Sequence, residues 1–124
     1  MNSVEKQRPE DLKTRTRRFA LEVIRLYTDL PKSPEAQVLG NQLLRSGTSV
    51  GAHYRESIRG RSNAEVVSKI EVALQELEET QYWLELLSES GIAKQECLGS
   101  LVQETHELIA ILVTCVKKVK EQTR

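Results

Sequence analysis

Leu98, Leu101, Thr105, Leu108, Leu112, Cys115 and Val119 step by three and four residues, which puts one apolar seam along a long helix. The same stepping recurs in three earlier segments: Leu12–Thr16–Phe19–Val23–Leu26–Leu30, Val38–Leu39–Leu43 continuing to Val50–Tyr54–Ile58, and Val67–Ile70–Leu74–Leu77–Gln81–Leu84. Four helices that each hide one stripe need one another to do it. The expected fold is all-α, an antiparallel up-down-up-down four-helix bundle with short joints. A chain of 124 residues suits one such domain.

Punctuation marks the helix ends. Residues 1–8 read as a flexible polar tail ahead of a bundle domain over 9–124. Pro9-Glu10-Asp11 reads as the first turn of helix one, with proline where its missing N–H is harmless. Ser33-Pro34-Glu35 caps helix two, and Ser62-Asn63-Ala64-Glu65 has the capping-box spacing for helix three. Gly91 is a left-handed stop, and helix four runs from about Lys94 to near Glu121. The small-residue run Arg45-Ser46-Gly47-Thr48-Ser49-Val50-Gly51-Ala52 is a poor helix former by propensity. The seam continues past it, so a continuous or mildly kinked helix is expected, with a neighbour packed closely on its small residues.

Lys plus Arg and Asp plus Glu are 18 each, so the chain has no overall pull toward nucleic acid or anionic lipid. The distribution is uneven. Residues 1–61 hold 12 basic and 7 acidic side chains, residues 62–90 hold 1 and 7, and residues 91–124 hold 5 and 4. Basic helices one and two either meet acidic helix three, within or between subunits, or form a nucleic-acid footprint. Cys97 and Cys115 lie about 27 Å apart along one helix and cannot bridge. Both read as small buried hydrophobes of a reducing compartment. The polar N-terminus has no apolar signal core, and no apolar stretch reaches membrane-span length. The expected location is cytoplasmic, with no membrane partner.

No chemistry announces itself. His53 and His106 lack the Glu-x-x-His pattern of di-iron bundles, and Glu104 and Glu107 beside His106 do not converge with it on one metal ion. Asp11 and Asp29 lie at the ends of helix one, far from any histidine they would orient. Gly47-x-x-x-Gly51 lacks the Lys-Ser/Thr of a phosphate loop. No catalytic residue, metal, cofactor or small-molecule substrate is therefore expected. Two features remain. Arg45, Arg55, Arg59 and Arg61, with His53 and Tyr54, concentrate guanidinium groups suited to phosphate or to the acids of helix three. Tyr82, Trp83, Leu86 and Leu87 exceed what one seam can take; Trp83 shares a flanking face with Glu76, Glu79, Thr80 and Leu87. A large indole beside acids is either a lid on the bundle's edge or an anchor in a protein interface; the excess favours the second and predicts a homo-oligomer with these four residues at its subunit contact.

At these residues the chain resembles a known family. Arg45-Ser46-Gly47-Thr48-Ser49-Val50 followed by Glu56 resembles the helix-two signature of the 23S rRNA intervening-sequence proteins, the S23 family. The run from Lys69 to Leu87, with Glu79-Thr80-Gln81-Tyr82-Trp83-Leu84, is similar to the family's third helix. Where many members read Asn-Ile-Ala-Glu-Gly, this chain has His53-Tyr54-Arg55-Glu56-Ser57. The resemblance implies a four-helix bundle that assembles as a ring-like homopentamer without catalytic activity. Some family genes lie inside insertions in 23S ribosomal RNA genes. A related branch, the accessory proteins of diversity-generating retroelements, binds nucleic acid and a reverse transcriptase through a basic pentamer surface.

The expected function is thus a non-enzymatic homo-oligomeric scaffold or adaptor, a pentamer, with weak contact to RNA or nucleoprotein through Arg45, Arg55, Arg59 and Arg61. The alternative is a retroelement accessory protein acting with a reverse transcriptase.

Overall fold

A computed structural model describes residues 11–122; the expected 1–8 tail lies outside the described residues. Four helices account for nearly all of it: α1 Leu12–Asp29, α2 Pro34–Ile58, α3 Asn63–Glu89 and α4 Gln95–Gln122. Three begin on side-chain caps. Asp11 accepts from Lys13 N, Ser33 from Ala36 N ahead of Pro34, and Ser62 from Glu65 N. Asp11 is therefore the cap of α1 rather than part of its first turn, and Pro9 and Glu10, expected to open that helix, lie outside the described residues. Gly91, at φ 79°, closes α3, a conformation that disfavours any side chain.

Helix α2 runs unbroken through its small-residue stretch. The reason is packing, which overrides propensity. A Cβ on Gly47 would lie 2.7 Å from Val23 Cγ2, on Gly51 3.0 Å from Thr16 Oγ1, and on Gly40 2.9 Å from Leu30 Cδ1. These three positions bring α1 and α2 close together. On its other side α2 turns Ser46 to α3, where its hydroxyl lies 2.8 Å from Thr80 Oγ1.

The register of contacts sets the topology. Gly51, Gly47 and Gly40 meet Thr16, Val23 and Leu30. Glu56 meets Lys69 while Ser46 meets Thr80. Gln81 meets His106 while Ser88 meets Gln95. Numbers fall on one helix as they rise on the next, so each successive pair is antiparallel. Each helix packs on two neighbours, α1 also reaching α4, with α1 diagonal to α3.

Phe19, Val23, Leu43, Leu77, Leu84 and Leu108 anchor one continuous core. The seams of α1 and α4 are largely as their spacing predicts, except that α4 buries Val116 at its end, with Cys115 and Val119 half-buried. A straight helix of 3.6 residues per turn drifts off a 3.5 repeat. In α3 the buried stripe is turned from the expected one. Ala73, Glu76, Thr80 and Leu87 are buried, whereas Val67, Leu74 and Gln81 are only half-buried. The cause is that α3 packs most extensively on α2. Val38 and Ile58, expected in the seam of α2, are 62% and 53% exposed. Val38 points away from the Ala36–Gly40–Leu43 face, and Ile58 extends past the first described turn of α1. Cys97 is exposed, contrary to the buried reading, and Cys115 is half-buried.

Candidate interaction surface on the second and third helices

The acids of α3 reach back to α2. Arg45 Nη1 donates to Glu76 Oε2 at 3.3 Å and Nη2 to Glu79 Oε1 at 3.1 Å. Glu76 is a carboxylate in the α2–α3 contact, 8% exposed. Burial, with a hydrogen bond shared with Glu79, pushes its pKa above the usual carboxylate range despite Arg45. That hydrogen bond, then Arg45, holds Glu79 below the usual range. Thr80 donates to the Glu76 carbonyl, leaving Ser46 to donate to Thr80. Arg45 is thus engaged by the chain's own acids.

One turn past Gly51, Glu56 Oε2 accepts from Lys69 Nζ at 2.9 Å, and Glu56 Oε1 accepts from His53 Nδ1 at 3.0 Å. These contacts, Lys69 foremost, lower the Glu56 pKa. The glutamate shared with the family motif therefore ties the ends of α2 and α3. Arg55, Arg59 and Arg61 are exposed around the α2–α3 joint, and none is ion-paired among the described residues. The structure divides the predicted arginine set: Arg45 is neutralised inside the chain, and the other three face solvent.

The predicted aromatic group is divided as well. Tyr82 is 52% exposed and Leu87 fully buried at 0%. Trp83 and Leu86 are half-buried, with the Trp83 and Tyr82 ring centroids 5.1 Å apart. Leu87 belongs to the core and has no surface to offer a partner. Trp83 packs against the core, yet its Nε1–H is buried with no partner among the described residues. A buried unpaired donor is costly.

Sequence reasoning missed the strongest ion pair. Arg15 on α1 donates to both oxygens of Glu104 at 2.7 and 2.8 Å and to Glu107 at 3.0 Å. The two acids raise the Arg15 pKa further. Glu104 and Glu107 do converge, on a guanidinium, while His106 turns to Gln81. The signal was their spacing of three on one helix face, opposite a half-buried arginine. Among the described residues no three His, Cys, Asp or Glu gather as metal ligands. An open groove of about 520 Å³ between α1 and α4 has an apolar floor of Leu26, Leu30, Ile92 and Leu101. No described helix is long and apolar enough to cross a membrane.

Long antiparallel helices, a close glycine-mediated α1–α2 contact and an Arg–Glu network across α2 and α3 define a four-helix bundle with an elaborated second–third helix face. The chain belongs to the family of 23S rRNA-intervening sequence proteins, whose model matches residues 10–114. It is similar to a protein of unknown function from the S23 ribosomal protein family of Bacteroides thetaiotaomicron. The two share 34% identity over 86% of this chain and 99% of the other, with a TM-score of 0.81. No curated protein matches the chain.

Proposed function

We propose that this protein is a non-enzymatic, cytoplasmic, homo-oligomeric scaffold or adaptor that assembles as a pentamer and makes weak contact with RNA or nucleoprotein. The observation that carries this reading is the surface at Tyr82, Trp83 and Leu86. The bundle has one continuous core, and outside it Tyr82, half exposed and with its ring tilted against that of Trp83, forms with Leu86 an aromatic and apolar cluster at the surface of α3. Half-exposed aromatic clusters of this kind supply the anchors that dominate interfaces. Sedimentation velocity at micromolar concentration tests it. The expected species is a stable oligomer; a 14.1 kDa monomer overturns the reading.

A second reading, an accessory protein of a diversity-generating retroelement acting with a reverse transcriptase, draws on exposed Arg55, Arg59 and Arg61, which have no ion pair among the described residues. In an oligomer that set repeats in every copy, and weak contacts add through avidity. Fluorescence anisotropy with structured RNA and duplex DNA tests it. Tight, sequence-selective binding lost in the Arg55/Arg59/Arg61 triple alanine variant promotes this second reading; weak, unspecific binding supports the first.

A further inference from the structure

Helices α1 and α3 each pack beside α2 and α4 and lie diagonal to one another across the core, so their outward faces point to opposite sides of the bundle. Each carries an exposed apolar centre. On α1 it is Leu21 and Ile24, 45% and 41% exposed. On α3 it is Tyr82, 52% exposed, with half-buried Leu86 one turn on. Each centre is flanked mainly by charge of one sign, with the acids Glu22 and Asp29 edging the α1 face on its α4 side. Exposed Arg17 and Arg25 stand one turn before and after Leu21, and exposed Glu78, Glu85 and Glu89 surround Tyr82 and Leu86. None of these five charges is ion-paired among the described residues.

We infer that the basic outer face of α1 in one copy docks on the acidic outer face of α3 in the next copy. An apolar centre with a polar rim is the anatomy of an interface, and opposite rims add steering and register. The occupant is a second copy because each face finds its complement on the same chain, whose net charge is zero. Two α1 faces, or two α3 faces, would juxtapose like charges. The contact is therefore head-to-tail, which closes into a ring when successive copies turn by a fixed angle and grows into a filament when they do not. This rests on the homo-oligomeric reading above and names the surfaces that carry it.

Charge reversal tests it. Two double variants, Arg17→Glu with Arg25→Glu and Glu78→Lys with Glu85→Lys, change only exposed side chains, and circular dichroism checks that both stay folded. Each alone should weaken assembly by about tenfold or more in dissociation constant, because like charges then face each other. Mixed one to one, the variants should reassemble, since each now complements the other. Their copies must alternate, so the mixture forms even-numbered or open species and never a five-membered ring. The wild-type assembly should also weaken between about 0.1 M and about 1 M salt, where the screening length falls from about 10 Å to about 3 Å. An oligomer indifferent to both reversals overturns this contact and leaves the homo-oligomeric reading standing; a wild-type monomer at low salt overturns that reading itself.

Discussion

A Cβ on Gly47 would sit 2.7 Å from Val23 Cγ2, and Val23 is fully buried and β-branched, with little rotamer freedom in a helix. Gly47→Ala should therefore overpack the α1–α2 contact and cost about 1–3 kcal/mol. Gly51→Ala, at 3.0 Å from Thr16 Oγ1, should cost less. Gly99 in α4 is the control, because nothing lies within 4 Å of its added Cβ. There alanine should stabilise by up to about 1 kcal/mol through propensity. Thermal melts of the three variants separate packing from propensity; stabilisation at Gly47 and Gly51 would refute the close approach. Glu76 supplies a second test at this scale. Its folded-state pKa is raised by burial, so its protonated form is the stabilising one. That contribution is present below the usual carboxylate pKa and is lost as pH rises through the folded value. Glu76→Gln should then be more stable than wild type near pH 7, with the gap closing toward about pH 4. Urea unfolding at the two pH values reads the difference, and a gap that widens on acidification contradicts it.

Between elements, the α1–α4 contact is the smallest in the bundle. Arg15 with Glu104 and Glu107 spans it, and its side chain is only 19% exposed. Arg45 spans the larger α2–α3 contact with a side chain 50% exposed. Charge-assisted bidentate bonds are the strong kind and surface pairs the weak kind. Arg15→Ala should cost about 1.5–3 kcal/mol, and Arg45→Ala about 1 kcal/mol or less. Denaturant melts of both variants check the order, and equal losses would contradict it. The α1 and α4 seams were legible because their buried polar members, Thr16 and Thr105, bond to carbonyls of their own helices and keep the seam's spacing. The α3 stripe was not, because Glu76 and Thr80 are polar types that enter the buried face only by pairing with Arg45 and Ser46 on α2.

At the scale of the whole molecule, Trp83 and the exposed arginines answer different questions. Trp83→Ala should weaken self-association by about 2 kcal/mol or more if the indole sits near the centre of an interface. Light scattering against concentration reads this, and an unchanged association constant removes Trp83 from the contact. RNA binding should be weak at zero net charge and should fall with salt, log affinity dropping by about 0.7 to 0.9 per phosphate contact for each tenfold increase. A binding constant flat in salt would exclude phosphate contact by Arg55, Arg59 and Arg61.

The sequence by itself determined four helices, the Ser33 and Ser62 caps, the Gly91 stop and the family, because apolar periodicity and capping chemistry are local along the chain. It also marked the small residues of α2 as a packing device. Only the tertiary structure decided which neighbour each face meets. It turned α3 toward α2, buried Leu87, exposed Val38, Ile58 and Cys97, engaged Arg45 while leaving Arg55, Arg59 and Arg61 exposed, and joined Arg15 to Glu104 across 89 residues of chain. The physical reason is that a side chain's burial and charge partners depend on which helices flank its own and at what register, and that pairing is a property of the assembled bundle.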